Sequence, residues 1–236
     1  MVKIKEKKIW FIIGLIIVVI LILSIFTVKN TKVTNDEKRF KKEYERFNGR
    51  TGLSTGKEYK KVNISDKNGV KYVSGKKVVE LLSKGTGVIY FGFPECPWCR
   101  NMIEPFLEVM NEKEETVYYF NAYSIRDEKD LDENNEVFTR QEGTKTYYEI
   151  IDLLGDKASV YDGLNDESIK RLYFPTIVFV KEGKIVDIHT STVNSQKDPY
   201  KSLSQKQLKE LKTVYEDGLK KMKKSNSNIC TDKGSC

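Results

Sequence analysis

The sequence predicts an α/β domain that follows an N-terminal transmembrane helix. The domain is predicted by apolar runs of strand length that alternate with segments whose apolar residues recur at helical spacing. The transmembrane helix is predicted by Ile9 to Val28, an uncharged apolar run of 20 residues, which matches a bilayer core about 30 Å thick. The chain has 236 residues, of which 39% are hydrophobic. That is enough for a packed core in one large domain or two small ones.

The apolar run divides the N-terminal part into a head, residues 1–8, and an anchor, residues 9–28. It is longer than the apolar part of a signal peptide, and no small-residue cleavage pattern follows it, so we expect the anchor to stay uncleaved. Lysines flank the run on both sides, and the positive-inside rule therefore does not set its orientation. The short head is the simpler end to leave in the cytoplasm. We expect a single-pass cell-membrane protein whose C-terminal domain is extracytoplasmic.

The net charge of +7 does not indicate a nucleic-acid partner. The basic residues are scattered among acidic ones along the whole chain, and no basic stripe with interleaved aromatic residues is present. Such a distribution is typical of a solvated, lysine-rich surface. We therefore expect no nucleic-acid binding.

Residues 29–58 are predicted to be a stalk helix and a linker. The helix is expected from Thr34 to Asn48, because Phe40, Tyr44 and Phe47 recur at helical spacing. The main domain is expected to span residues 59–222. Near its start, Asn68-Gly69 separates two short strand-like segments, which predicts a hairpin.

The next elements lead to a pair of cysteines. Ser74 to Lys84 has an apolar helical face, and "GVIYFGF" then reads as a strand buried on both faces. This strand ends just before Cys96. A helix is expected to begin near Pro97, a residue that suits a first helical turn, and to be kinked at Pro105.

The second half of the domain continues the alternation. Thr116 to Tyr123 is a buried-strand candidate, the acidic "RDEKDLDENNE" is expected to lie on the surface, and a helix is expected from Thr144 to Leu154. "YFPTIVFV" and "KIVDIH" are joined by a tight turn and predict an antiparallel hairpin. Ser204 with Gln207 predicts a capping box for the last helix. The polar tail, residues 223–236, carries Cys230 and Cys236.

Cys96 and Cys99 have the spacing of a redox pair. Three residues along a helix bring two Cα atoms to about 5–6 Å, the separation that a disulfide prefers. Cys96 would lie at the helix N-terminus, where free N–H groups and the helix dipole favour a thiolate. We therefore predict that Cys96 is the nucleophile and that Cys99, one turn deeper, is the resolving cysteine. Arg100 would favour the thiolate and Glu95 would disfavour it, so the direction of electron flow is left open.

Two other roles for this pair are less well supported by the sequence. A zinc site needs four ligands, but Cys230 and Cys236 are some 130 residues away and the single His189 lies in a predicted strand. A structural disulfide across so short a loop would constrain the unfolded chain little. Redox exchange without a metal or other cofactor is favoured. The tail cysteines could pair with each other, exchange with the active site or have no catalytic role.

These motifs together resemble the thioredoxin superfamily: "VIYFGF", then "CPWC", a helix with an internal proline, and "YFPTIVFVKEGKIV" before a terminal helix. The resemblance runs from about Gly69 to Met222, with extra sequence at about residues 122–161. It implies a thioredoxin-like fold, in which a mixed central sheet is flanked by helices. Within the superfamily, the tether, "GFPECPWCR" and the insertion look most like membrane-anchored thioredoxin-like and bacteriocin transport accessory proteins of Gram-positive bacteria.

The resemblance also implies roles for residues outside the cysteine pair. Pro175 would be a cis-proline facing the cysteines, Phe174 would offer its backbone to a substrate strand, and Trp98 would shape the rim of the site. The sequence departs from thioredoxin at three points: Tyr90 stands where the buried acid is expected, the helix proline comes one residue later, and the dipeptide is Pro-Trp.

Two functions are compatible with these features. The first is a membrane-tethered thiol–disulfide oxidoreductase that acts on thiols and disulfides of exported proteins or peptides and is recycled by a membrane redox partner. The alternative is a non-enzymatic accessory protein that binds a secretion or bacteriocin-export partner, which the acidic insertion and the long terminal helix suggest.

Overall fold

The structure is a computed structural model that describes residues 33–53 and 55–224. The expected head, the expected anchor over residues 9–28, and both tail cysteines lie outside the described residues. Within the described ranges, no helix combines the length and the apolarity that crossing a bilayer requires.

Helices and strands alternate through most of the described chain. In chain order the helices are α1 (Asn35–Glu45), α2 (Gly75–Lys84), α3 (Pro97–Glu112), α4 (Lys145–Leu154) and α5 (Gln205–Lys223). The strands are β1 (Val70–Tyr72), β2 (Gly87–Phe91), β3 (Val117–Phe120), β4 (Glu128–Leu131), β5 (Val137–Gln141), β6 (Ser159–Val160), β7 (Lys170–Arg171), β8 (Thr176–Lys181) and β9 (Lys184–Thr190). The predicted α/β class is confirmed.

A five-stranded mixed sheet, in the order β1-β3-β2-β8-β9, lies at the centre of the domain. β3 pairs in parallel with both β1 and β2, whereas β8 is antiparallel to both β2 and β9. The predicted hairpin of β8 and β9 is therefore present. Its turn residues Glu182 and Gly183 both have positive φ, 50° and 74°, as a tight hairpin turn requires.

Helices cover both faces of this sheet, which explains the unbroken apolar run in β2. Val88 and Tyr90 point into a core shared with α1, α3 and α5. Ile89 and Phe91 point into a second core shared with α2 and α4. Because successive side chains of a strand alternate between faces, a strand covered on both sides needs apolar residues at every position.

Side chains cap the starts of three helices, and the cap at Ser204 was predicted. The side chains of Ser74 and Thr144 accept N–H groups in the first turns of α2 and α4. Ser204 and Gln207 form the full capping box at the start of α5. Each such bond satisfies a backbone donor that has no partner within the helix.

Helix α1 is part of the domain, although the sequence had suggested a stalk. Phe40 and Tyr44 are fully buried in the same core as α3 and α5. The compact unit accordingly begins at Asn35, well before the expected boundary at residue 59. The helical spacing was interpreted correctly, but it does not reveal which surface an amphipathic helix covers.

The hairpin predicted at Asn68-Gly69 does not form. Gly69 has the expected positive φ of 68°, but the segment before it pairs with no strand. Its backbone groups bind side chains instead: Val62 N–H donates to Asn48, and Ile64 N–H donates to Glu45. Polar side chains on and just after α1 thus take the place of a neighbouring strand.

The insertion at residues 122–161 divides into a surface part and a core part. The acidic segment forms the β4–β5 hairpin, and its Val137 and Phe138 are exposed. Helix α4, in contrast, packs Tyr147, Ile150 and Leu154 into the second core.

Candidate functional site

The topology brings the cysteine pair and the proline to one edge of the sheet. Phe91, the last residue of β2, pairs with Thr176, the first residue of the antiparallel strand β8. The segment that follows β2 therefore lies beside the segment that precedes β8. These two segments carry Cys96 and Pro175, so residues 79 positions apart meet through one strand pairing.

Cys96 is the N-cap of α3, and Pro97 occupies the first helical turn. Its Sγ accepts a hydrogen bond from the Cys99 backbone N–H at 3.2 Å. A sulfur at this position faces the free N–H donors and the positive end of the helix dipole. The expected placement of Cys96 at the start of the helix is observed.

Cys99 lies one turn further along α3 and is more deeply buried. Both cysteines are free thiols, with exposed fractions of 5% for Cys96 and 0% for Cys99. Burial raises the pKa of the Cys99 thiol, and the adjacent Cys96 raises it further. Cys99 is thus held as a neutral thiol until chemistry at Cys96 changes its surroundings.

Tyr90, at the position where thioredoxin would have an acid, is fully buried near Cys99. Its hydroxyl shares a hydrogen bond of 2.6 Å with the hydroxyl of Tyr44. Burial raises the pKa of both phenols. This pair consequently stays neutral, whereas a carboxyl group could exchange a proton closer to neutral pH.

The Phe174–Pro175 peptide bond is cis, as the resemblance implied. The carbonyl oxygen of Phe174 accepts a hydrogen bond from the Cys96 thiol, with an S···O distance of 3.6 Å. The backbone that would receive a substrate strand therefore touches the predicted nucleophile.

Aromatic side chains surround this contact. Trp98 is half-buried and packs against the core cluster that contains both cysteines. Phe93 and Tyr123 were not predicted: their ring centroids are 4.5 Å apart, and Phe93 lies 5.5 Å from Phe174. Tyr123 is 47% exposed. Its only signal in the sequence is its place at the end of a predicted strand.

The hydrogen bonds of the Arg100 guanidinium go to groups other than the Cys96 sulfur. Arg100 is fully buried and donates hydrogen bonds to the carbonyl oxygens of Lys60, Tyr44 and Pro94 and to the side chain of Asn48. Its guanidinium holds together the segments around α3. Glu95 lies 3.6 Å from Arg46 in an exposed ion pair.

The difference between the two thiols predicts their reactivity. At pH 7 we expect iodoacetamide to modify Cys96 at least about tenfold faster than Cys99, because only the thiolate reacts and burial raises the pKa of Cys99. The rate at Cys99 should still rise about tenfold per pH unit as the pH passes the ordinary thiol value of 9.0. Pulse alkylation of the reduced chain between pH 6 and 10, followed by mass mapping, measures both rates. Equal rates in the folded protein would contradict the assignment, and equal rates in urea are the control.

The titratable groups that the structure describes form no metal-ligand set at this centre. His189 lies in β9, as expected, and pairs with Ile177. Among residues 33–53 and 55–224, no three histidine, cysteine or acidic side chains are grouped as metal ligands. What the geometry provides is a cysteine pair beside a cis-proline, suited to attack on a disulfide.

No protein-family model matches the chain, and no curated protein matches it.

Proposed function

We propose that the chain is a membrane-tethered thiol–disulfide oxidoreductase of the thioredoxin-like type, acting on exported proteins or peptides. One observation carries the proposal. Cys96 Sγ sits at the start of a helix, receives the Cys99 N–H at 3.2 Å and lies 3.6 Å from the carbonyl oxygen that precedes a cis-proline. An attacking sulfur is thus placed beside a backbone segment that can hold a substrate.

The architecture supports a thioredoxin-like fold. A parallel strand leads into the cysteine pair, an antiparallel hairpin follows the cis-proline, and helices cover both faces of the sheet. The insertion between β3 and β8 adds α4 and the β4–β5 hairpin to this arrangement.

The reaction is reversible disulfide exchange. The Cys96 thiolate attacks one sulfur of the substrate disulfide, which breaks the substrate S–S bond, forms a mixed disulfide and releases the other sulfur as a thiolate. Cys99 loses its proton and attacks Cys96 Sγ, which releases the second substrate sulfur. Two electrons pass to the substrate, and Cys96 and Cys99 end as a disulfide. The reverse sequence oxidises a substrate dithiol.

The predicted anchor gives this chemistry a location. Residues 9–28 would hold the domain at the outer face of the cell membrane, where exported chains emerge with unpaired or wrongly paired cysteines. A membrane protein with its own dithiol or disulfide would return the pair to its starting state.

The proposal is tested by equilibrating the full chain, kept in detergent, with glutathione buffers of increasing ratio. Alkylation and mass mapping then report which cysteines are joined. We expect one two-electron transition that links Cys96 to Cys99, with a midpoint between about −270 and −120 mV. The Cys230→Ser/Cys236→Ser variant is the matched control and should give the same midpoint. If Cys96 and Cys99 never join at any ratio, the proposal is wrong.

A second candidate, partner binding without catalysis, is favoured by the surface of the insertion. Four large hydrophobic side chains there are exposed: Tyr123, Val137, Phe138 and Val160. If binding alone were the function, a strain carrying Cys96→Ser/Cys99→Ser would secrete the partner normally. Loss of secretion in that strain, with unchanged protein level, favours the oxidoreductase.

A further inference from the structure

Two arginines lie beside the cis-proline segment and lack hydrogen-bond acceptors. Arg126 follows the short 3-10 turn Tyr123–Ile125, and Arg171 ends β7, four residues before Pro175. The Nε atoms of both are buried and have no hydrogen-bond partner among the described residues. Buried N–H donors are normally satisfied, and a guanidinium is usually paired with an acid.

Aromatic rings hold both guanidiniums by their faces. The Cζ atom of Arg126 lies 4.6 Å from the ring centroid of Tyr123 and 5.5 Å from that of Phe174. The Cζ atom of Arg171 lies 4.2 Å from the ring of Tyr161. Stacking fixes the plane of a guanidinium but leaves the N–H groups at its edge free to donate to an anion.

The nearby carboxylates neutralise this pair only in part. Glu128 forms an ion pair with Arg126 at 3.7 Å, which is longer than a hydrogen bond. The buried Asp127 lies 3.8 Å from Lys129. Arg171 makes no ion pair with a described residue. Burial lowers the pKa of Arg126, and the positive charge of Arg171 lowers it further, so the two guanidiniums repel each other where solvent screens them poorly.

Phe174 connects the arginines to the reacting sulfur. Its carbonyl oxygen accepts a hydrogen bond from the Cys96 thiol, while its ring lies 5.5 Å from the Cζ atom of Arg126. When the disulfide of a substrate peptide reaches Cys96, a substrate residue about one position away from that disulfide therefore lies near the edge of the Arg126 guanidinium.

We propose that Arg126 and Arg171 bind a carboxylate of the substrate, so that the site selects peptides with an acidic group beside the reacting cystine. This inference rests on the proposed oxidoreductase function and names its substrate class. An incoming carboxylate offsets two like charges, and a guanidinium binds it with paired hydrogen bonds.

The test uses a series of synthetic cystine peptides that differ at one position beside the cystine: glutamate, glutamine or lysine. Each is made with an amidated C-terminus. The glutamine peptide is also made with a free C-terminal carboxylate, which distinguishes recognition of a side-chain carboxylate from recognition of a C-terminal one. We expect the glutamate peptide to have a kcat/KM about tenfold above the glutamine peptide, mainly through KM. The lysine peptide should be the poorest substrate.

Variants show whether these arginines cause the preference. Arg171→Gln and Arg126→Gln should each reduce the ratio of kcat/KM for the glutamate peptide to kcat/KM for the glutamine peptide to about two or less. This ratio does not depend on how much of the variant is folded, and an unchanged urea unfolding transition is the control for folding. Arg140→Gln is the matched control, because Arg140 belongs to the same insertion but is 61% exposed and pairs with Asp130. It should keep the full preference.

A binding measurement separates failure of this inference from failure of the proposed function. In the Cys96→Ser/Cys99→Ser protein, calorimetry with the same peptides, their cystines replaced by serines, measures recognition without exchange. Tighter binding of the glutamate peptide that is lost in Arg171→Gln supports the inference even if no peptide is turned over. Equal turnover of all the peptides, equal binding, or no detectable binding of any peptide would overturn the inference.

Discussion

Replacing Cys96 with serine is expected to reduce disulfide exchange at least about a thousandfold, to the level of the uncatalysed reaction. A serine hydroxyl at this position is not ionised at neutral pH and cannot form the mixed disulfide. The side chain is only 5% exposed, but serine and cysteine differ only by oxygen in place of sulfur. The fold should therefore be retained. Turnover of a fluorescent cystine peptide under excess reductant measures the loss, and an unchanged unfolding transition is the control.

Cys99→Ser should fail at a different step. Cys96 can still attack, but no second thiol follows to release the substrate, so a mixed disulfide accumulates. Mass spectrometry should show one substrate adduct at Cys96 in Cys99→Ser and none in Cys96→Ser. Adducts in both variants, or full turnover by Cys96→Ser, would disprove the assigned order of attack.

Much of the fold follows from local patterns in the sequence. The apolar run of β2, the hairpin of β8 and β9, and the capping box of α5 are each determined within a few residues, and all three are present. Helix α1 was found by its spacing, but its burial depends on α3 and α5, which lie far away in sequence. The Asn68-Gly69 turn was predicted. The polar side chains that bind the backbone of the preceding segment, in place of a partner strand, were not predicted.

The candidate site likewise combines residues that the local sequence predicts with residues that only the folded chain brings together. Cys96, Cys99 and Pro175 carry strong local signals, and one strand pairing brings them together. Arg126 and Arg171 lie 45 residues apart in segments dominated by other charges. Their proximity and their unsatisfied Nε atoms appear only when the insertion is folded, because no spacing rule relates two such arginines.

Arg100→Met is expected to lower the free energy of unfolding by about 3–5 kcal/mol, the typical cost of breaking a buried charged network from one side. Four oxygen atoms lose a donor, at distances from 2.7 to 3.0 Å. One of them is the carbonyl of Tyr44 in the last turn of α1, where a positive charge also interacts favourably with the negative end of the helix dipole. Another is the carbonyl of Pro94, in the loop that leads to Cys96.

Because proteins are typically stable by only about 5–15 kcal/mol, a loss of this size is enough to unfold a marginally stable domain, and Arg100→Lys therefore provides the second measurement. A lysine keeps the charge but reaches fewer of the four acceptors, so its loss should be smaller than that of methionine. Urea unfolding of both variants gives the difference. Arg140→Met removes an exposed arginine and should change the stability by no more than about 0.5 kcal/mol. If Arg100→Met were as stable as Arg140→Met, the guanidinium would not be what fastens α1 and the loop before Cys96 to α3.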